Sequence, residues 1–461
     1  MKRILVLLLL AGCTVGPDYV RPKVETPSAY KESGDWKPAA PRDTEARGKW
    51  WATFGDAQLD GLMAQLDLSN QGIAAADAQL RVAAALAEQS RASWWPALTG
   101  SVTRTESKPS ATTGPIVGAV TNKRIINSMP LNASWEADLW GRIRRLVEAG
   151  DAGTRASASD LVNARLSAQA TLAQNYFQLR ALDSQKALLE ETISAYARTL
   201  ELTKNRYTVG VASRADIVQA ESQLASTRSQ ALDLGVQRAQ LEHAIAVLLG
   251  KPASGFSLAP GALAAAPPAV PATGLPADLL ERRPDIAAAE RRVEAANAQI
   301  GVARAAFFPT ATLGATYGYQ TATPSLWFTH PSLFWSVGPA LALTLFDGGR
   351  RAAVSDQAIA SYDQTVANYR GTVLQAFADV EDNLAALRIL EAEAEIQHEA
   401  VKSAQQSLDI TVNQYKAGIV TYLQVVVAQT QALQAQTTAL GIRSRRMAAS
   451  VLLVKSLGGG W

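Results

Sequence analysis

One stretch of sequence that occurs twice decides the fold. Residues 73–96 read IAAADAQLRVAAALAEQSRASWWP, and residues 286–309 read IAAAERRVEAANAQIGVARAAFFP. The two stretches align without a gap, and each ends in two aromatic residues and a proline. Further along the chain, NRYTVG at 205–210 matches NQYKAG at 413–418. A repeat of this length indicates that the chain contains one structural unit twice.

The composition excludes several classes of protein. A single cysteine forms neither an internal disulfide framework nor a cysteine-rich metal site. A net charge of +3 is too small for a dedicated nucleic-acid binder, and a hydrophobic content of 48% excludes wholesale disorder. No stretch reaches the roughly 20 apolar residues that a membrane-spanning helix needs. Since no HExxH, GxSxG or phosphate-loop pattern occurs, we expect neither catalysis nor a metal site.

The first residues of the chain predict export and lipidation. A basic pair at positions 2 and 3 precedes an apolar run that is too short to span a bilayer, as in a secretory signal peptide. The sequence LAGC at residues 10–13 resembles a bacterial lipobox, in which cleavage precedes a cysteine that carries lipid. We therefore predict that residues 1–12 are removed and that Cys13 carries N-acyl diglyceride and palmitate, with no other cofactor. The alternative is an ordinary signal peptide that happens to contain a cysteine.

After each repeated stretch the pattern changes from helical periodicity to alternation, which is typical of β-strands. The four candidate strands are residues 97–105, 131–139, 310–320 and 333–345. Their length suits tilted transmembrane strands, which need about 9–11 residues, and aromatic residues near their ends suit the two membrane interfaces. A soluble sheet with one buried face fits the alternation equally well.

Four strands cannot close a barrel, and lipid does not tolerate an open sheet edge. If the strands cross a membrane, several chains must therefore pool them. Two copies of four strands make eight, and three copies make twelve. The pattern predicts an oligomer but leaves its number open.

The remaining segments predict long helices in coiled-coil pairs. Apolar residues, alanine or tyrosine recur every seven residues from 373 to 415 and again from 426 to 454, and a similar seam runs through 172–207 with one interruption. A period of 3.5 residues predicts left-handed supercoiled pairs. Each pair is expected to turn back at a glycine, Gly210 after Tyr207 and Gly418 after Tyr415.

These patterns predict the following organisation. Residues 1–12 form the signal peptide, and residues 13–56 form a lipidated extended arm. The first repeat, 57–250, contains a helix, a β-hairpin at about 97–139 and a long helical hairpin at about 142–249. A proline-rich connection, 251–283, leads to the second repeat at 284–461, with a helix, a β-hairpin at about 310–346 and a helical hairpin at about 349–457.

The mature sequence resembles the outer-membrane factor family, the TolC-like channels, in its OprM- or NodT-like lipoprotein branch. The resemblance is carried by Cys13-Thr14-Val15-Gly16-Pro17-Asp18-Tyr19, Trp50-Trp51, Phe54-Gly55-Asp56, Leu59, Leu279-Leu280-Glu281-Arg282-Arg283-Pro284-Asp285-Ile286, Phe307-Phe308-Pro309, Phe346-Asp347-Gly348-Gly349 and the two Tyr-x-x-Gly turns.

The resemblance implies a mixed α/β fold, consisting mainly of long α-helical coiled-coil hairpins that form a periplasmic tunnel. Four transmembrane strands per chain would be pooled into a twelve-stranded outer-membrane barrel in a homotrimer. It also implies the exit duct of a tripartite efflux system, which passively exports small molecules such as drugs or toxic compounds. Its partners would be outer-membrane lipid, a periplasmic adaptor and an inner-membrane transporter of the RND type, with no nucleic acid.

The resemblance places the functional site just after the helix turns, where the narrowest point of the duct is set. Family members often carry an aspartate and a nearby arginine after the second turn, and these positions are Val427 and Thr430 here. We therefore predict that Leu423 and Val427 form a hydrophobic constriction. The alternative is that both side chains pack between helices. Asp216 and Glu221 are either entrance acids that favour cations or plain solvated side chains.

Functions from other classes remain open at this stage. A periplasmic adaptor should have one helical hairpin inserted in β-rich domains, whereas this chain predicts two equivalent hairpins. A structural envelope lipoprotein would not need alternating strands with aromatic ends. Within the channel class, a protein-secretion duct differs from a small-molecule efflux duct mainly by its partners.

Overall fold

The computed structural model describes residues 14–24, 48–110, 112, 122–264, 266–267 and 282–459. The predicted signal peptide and Cys13 lie outside the described residues, as do most of the N-terminal arm and much of the proline-rich connection. What is described is mostly helical, with one β-sheet. Among the described helices, none combines the length and the apolar character needed to cross a membrane.

The long helices follow the heptad patterns, and two of them, Arg142–Thr208 and Arg350–Ala417, end at the glycine turns. Pro284 begins a helix, as its fixed φ and missing N–H favour. Asp56 caps another helix by accepting hydrogen bonds from the backbone N–H groups of Gln58 and Leu59. The helices are α1 (Ala57–Ser69), α2 (Gln71–Ala92), α3 (Arg142–Thr208), α4 (Arg214–Leu248), α5 (Pro284–Ala305), α6 (Arg350–Ala417) and α7 (Tyr422–Ser456).

The strands form one antiparallel sheet. Strand β3 pairs with β1 and β2 along one side and with β4 along the other, and β4 also pairs with β5. The strands are β1 (Ala97–Gly100), β2 (Thr103–Ser107), β3 (Arg124–Ala137), β4 (Thr310–Thr321) and β5 (Leu333–Ala342).

The predicted first strand is divided in two, so the expectation of four simple strands needs correction. The division falls at Ser101 and Val102, although the register continues across it. Gly100 pairs with Leu131, and therefore Ser101 faces Pro130. A proline has no N–H to donate to a neighbouring strand, which interrupts the hydrogen-bond ladder at this point. The sheet thus has four strand positions, of which the first is interrupted.

The two faces of the sheet differ in polarity. Cross-strand partners on one face are apolar, for example Tyr317 opposite Trp335 and Ala311 opposite Leu341. These large side chains are exposed, with 69% of the surface accessible for both Trp335 and Leu341. The other face is polar, and on it the Thr316 hydroxyl donates a hydrogen bond to the Asn132 side-chain oxygen at 3.0 Å. The strands therefore have an apolar face that nothing in the described chain covers.

The described residues fall into two compact units, and each unit takes chain from both predicted repeats. The first unit includes the N-terminal residues up to Lys23, Gln79–Ser157 and Ala288–Tyr369, and therefore the sheet. The second includes Val24–Ala78, Ala158–Ala287 and Arg370–Trp461, and therefore helix α1 and both glycine turns. Its core contains Trp50, which donates a hydrogen bond to Gln169, together with buried leucines of α1 and α3. This packing accounts for the Trp-Trp pair at 50–51.

Candidate functional site at the helix turns

Both glycine turns have the same backbone geometry. Gly210 has φ +78° and Gly418 has φ +80°, a region that favours glycine. In the first turn the Gly210 N–H donates to the Tyr207 carbonyl, and the Val211 N–H donates to the Arg206 carbonyl. The second turn has the same two hydrogen bonds, one that spans three residues and one that spans five. The arrangement is the Schellman motif, which satisfies carbonyls at a helix C-terminus.

The second turn has a buried aromatic core. Tyr415 precedes the turn and Tyr422 follows it, and each is 3% exposed. Their ring centroids are 5.7 Å apart, and Val425 and Ala220 pack against them. Burial raises the pKa of Tyr422 to about 12, and the neighbouring Tyr415 acts in the same direction. By contrast, Tyr207, the equivalent of Tyr415 in the first repeat, is 44% exposed.

An arginine from the first repeat holds the end of α6 in the second repeat. The Arg206 Nη1 donates to the carbonyls of Tyr415 at 2.8 Å and Lys416 at 3.1 Å. Its guanidinium also lies over the Tyr415 ring, 4.7 Å from the centroid. The last carbonyls of a helix lack intrahelical partners and carry partial negative charge, so a cation there is favourable. Nearby, the buried Thr203 hydroxyl lies 3.2 Å from the Tyr415 hydroxyl.

Sequence reasoning missed Arg206. A signal was present, because the repeated motif reads Asn-Arg-Tyr in the first half and Asn-Gln-Tyr in the second, at 205–207 and 413–415. The basic residue therefore occurs in only one copy. Nothing in the sequence shows that its side chain reaches across to the other copy rather than capping its own helix.

The predicted constriction residues lie near the start of α7. Leu423 is 64% exposed and Val427 is 49% exposed, and a spacing of four places them on one face of the helix. Neither side chain is buried against other helices of the same chain. Thr430, at the family's arginine position, donates its hydroxyl to the Val426 carbonyl of its own helix. The structure thus presents two apolar side chains outward after the second turn.

The two candidate entrance acids have partners. Asp216 and Ser213 form a reciprocal capping box at the start of α4, in which the Ser213 N–H donates to the Asp216 carboxylate at 2.8 Å. The Glu221 carboxylate lies 2.9 Å from the Lys204 ammonium, and both side chains are half-exposed. Asp216 therefore stabilises a helix start, and the charge of Glu221 is compensated. Within the described ranges, no group of three or more potential metal ligands is close enough to hold an ion.

The outer membrane efflux protein family model matches residues 62–251 and 275–459. The pyoverdine export outer membrane protein OpmQ of Pseudomonas aeruginosa is 30% identical over 457 residues, which cover 98% of this chain and 95% of that protein. The toluene efflux pump outer membrane protein TtgF of Pseudomonas putida is 32% identical over 462 residues, with 98% and 95% coverage.

Solved structures agree with the sequence comparison. The outer-membrane channel OprN superposes with a TM-score of 0.88 at 29% identity. The match covers 97% of this chain and 100% of that one. The structure of CusC, a protein that forms a transmembrane channel, superposes with a TM-score of 0.86 at 27% identity. The match covers 97% of this chain and 100% of that one. The chain therefore belongs to the outer membrane efflux protein family, and it is an outer-membrane efflux channel.

Proposed function

We propose that the channel is a homotrimer, in which three sheets join into a twelve-stranded barrel and the long helices form a periplasmic tunnel. The observation that carries this proposal is the exposed apolar face of the sheet, with Trp335 and Leu341 outward. Lipid would cover such a face, while the polar face would line water. The sheet also ends in strands that have one unpaired side, β5 and the interrupted first strand. Pairing these edges between copies satisfies their backbone groups in lipid.

The proposed partners are a periplasmic adaptor and an inner-membrane transporter of the RND type. Similar proteins are named for export of pyoverdine and toluene. These names support small molecules, such as drugs or toxic compounds, as the passively exported substrates here. A protein-secretion duct is the second candidate within the family. Membership in the efflux family argues against an adaptor, a structural lipoprotein or an enzyme.

The lipid anchor and the repeat boundaries belong to the same proposal. Residues 1–12 would be removed, and Cys13 would carry N-acyl diglyceride and palmitate and hold the protein to the outer membrane; no other cofactor is proposed. The repeats would span 57–250 and 284–461, joined by 251–283. The helical hairpins at 142–208 with 214–248, and at 350–417 with 422–456, support this duplication.

The proposed constriction of the duct is formed by Leu423 and Val427 from each copy. Their exposure on one face of α7 supports this role, because three such faces would narrow a shared lumen with apolar side chains. Asp216 and Glu221 would lie at the entrance, with Glu221 exposing half of its side chain. The turns Tyr207–Gly210 and Tyr415–Gly418 would form the periplasmic end that docks on the adaptor.

Reconstitution of the full-length lipoprotein tests the proposal. We expect native mass spectrometry to give three copies, unheated electrophoresis to show a heat-modifiable trimer, and planar bilayers to show channel conductance. A tagged channel should also co-purify the adaptor, and a deletion strain should become more sensitive to small toxic compounds. A stable monomer without conductance would refute the proposed assembly. Unchanged drug sensitivity together with loss of an exported protein would favour the secretion duct.

A further inference from the structure

The end of the sheet that lies away from the helices carries charged side chains on the same face as the exposed apolar ones. Side chains alternate between the two faces along a strand, and the register of the first strand continues across its interruption. Leu98 and Val102 therefore lie on the apolar face, where they are 70% and 66% exposed. Arg104 and Glu106 follow on the same face, and Lys108 comes directly after the strand. The face thus changes from apolar to charged at Arg104.

The change falls where the apolar band of the sheet ends. Along β4 the band runs from Ala311 to Tyr319, which are eight residues apart. At about 3.4 Å per residue and a tilt of about 40°, this distance corresponds to a height of roughly 20 Å, compared with about 25 Å for the apolar band of an outer-membrane barrel. Tyr319 pairs with Met129, whereas Arg104 pairs with Asn127, the next β3 residue on this face. Arg104 therefore lies just beyond the band, at the level of lipid headgroups.

Aromatic rings mark the same level. Phe328, in the connection between β4 and β5, is 68% exposed and packs edge-on against Tyr319 with ring centroids 5.6 Å apart. Trp327 stacks on Phe328 at 5.9 Å. The buried amide of Asn127, the cross-strand partner of Arg104, donates to the carbonyl of the last β4 residue at 3.3 Å. Since aromatic rings of membrane proteins concentrate at the interface with water, the apolar surface ends beside Arg104.

The charges at this end of the sheet do not balance. Glu106 forms an ion pair with Lys123, which precedes β3. Within the described ranges, neither Arg104 nor Lys108 has an ion-pair partner, and both side chains are exposed. At the other end of the sheet, by contrast, Arg142 donates two hydrogen bonds of 2.8 and 2.7 Å to an acidic side chain of β3. The positive charge available to an external anion therefore lies at the end away from the helices.

We propose that Arg104 and Lys108 bind the phosphate groups of a phosphorylated glycolipid in the outer leaflet, whose acyl chains lie on the apolar face at Val102. This inference rests on the proposed barrel. A guanidinium forms paired, charged hydrogen bonds with a phosphate, and an ammonium binds it as a point charge. The two basic residues are about 13 Å apart along an extended chain, so they suit a large headgroup with more than one phosphate. Pairing of the sheet edges between copies uses backbone groups in the plane of the sheet and leaves this face open.

Native mass spectrometry of the full-length channel tests the inference, with lipid A as the added probe. We expect trimers that retain lipid A, and more than tenfold weaker retention after Arg104→Gln with Lys108→Gln, because each basic residue near an anionic lipid surface contributes about fivefold. Arg104→Lys should keep most of the retention, since it keeps the charge. The matched control is Arg124→Gln, which removes an exposed arginine at the same end of the sheet but on its polar face, opposite Ser107. Equal retention in the double variant and the control would overturn the proposal.

Two further probes identify the source of the phosphate group. We expect that dephosphorylated lipid A is retained severalfold more weakly and that inorganic phosphate does not displace the intact lipid. Displacement by inorganic phosphate would refute a lipid site in favour of a simple anion site. The same spectra report the number of copies. Trimers without lipid would therefore refute this inference alone, whereas the absence of trimers would refute the proposed assembly.

The depth of the two side chains in the membrane is measured separately. Val102→Cys and Glu106→Cys each place a thiol on the same face of the first strand, two residues to either side of Arg104. In vesicles that contain lipid A, a fluorophore at position 102 should be quenched by brominated acyl chains, and one at position 106 by iodide in the water. Equal quenching by iodide at both positions would place Arg104 outside the membrane surface and would overturn the proposal.

Discussion

Arg206 and Tyr415 belong to different repeats, and the guanidinium of Arg206 lies 4.7 Å from the centroid of the Tyr415 ring while it donates to the carbonyl of the same residue. One side chain thus joins the ends of α3 and α6. The contact combines a charged hydrogen bond with a cation–π interaction, and it ties two helical hairpins together at their turns.

We predict that Arg206→Ala loosens both turns. Hydrogen bonds to a charged group contribute about 1.5–3 kcal/mol, so amide exchange near 205–211 and 413–420 should accelerate by roughly tenfold or more. Hydrogen–deuterium exchange with mass spectrometry measures this effect. Arg214→Ala is the control, because Arg214 is an exposed arginine at the start of α4. Equal acceleration in both variants would show that the Arg206 contact adds nothing specific.

The proposed apolar constriction predicts a change in conductance. Leu423→Ser and Val427→Ser should each raise single-channel conductance, and together they should raise it severalfold, because polar side chains favour wetting of a narrow pore. Planar bilayer recording of the reconstituted channel provides the measurement. Val218→Ser, at an exposed valine of α4, tests for a general effect of polar substitution. Unchanged conductance in both single variants would refute the proposed constriction.

The interrupted strand predicts a difference between two glycines of β4. A Cβ on Gly318 would lie 2.4 Å from the Met129 carbonyl oxygen, opposite the Pro130 region, whereas a Cβ on Gly314 meets nothing within 4 Å. We expect Gly318→Val to destabilise the proposed trimer by about 1–3 kcal/mol, as overpacking does. The midpoint of the heat-induced shift on electrophoresis should fall for Gly318→Val and not for Gly314→Val. A similar fall in both would contradict the close approach.

The burial of Tyr422 predicts that its phenol titrates above the usual range. The pKa of Tyr422 is about 12, compared with 10.0 for an unperturbed tyrosine. The phenol therefore stabilises the folded turn fully below pH 10, and this contribution is lost as the pH rises towards 12, because the unfolded chain ionises first. Difference absorbance of tyrosinate between the parent and Tyr422→Phe should place the missing step near pH 12. A missing step near pH 10 would disprove the effect of burial.

Periodicity predicted the long helices and their turns because heptads and turn glycines are local signals. Pro130 was harder to interpret, because alternation predicted a strand only from Leu131, whereas the strand begins at Arg124 and contains the proline in its interior. The strand continues through Pro130 because the interruption falls on its neighbour instead. Arg206 shows the other limit, as its partners are more than two hundred residues away in sequence and no periodic pattern connects them.

The unequal exposure of Tyr207 and Tyr415 has a consequence for any protein that docks on the turns. The backbone of the two turns is duplicated, but their surfaces are not, since one ring faces solvent and the other is enclosed. In the proposed trimer, the six turns would therefore be related by sixfold symmetry in their backbone conformation. Their exposed side chains would follow only threefold symmetry. A partner that contacts every turn must accommodate two alternating kinds of surface, so six identical docking contacts are excluded.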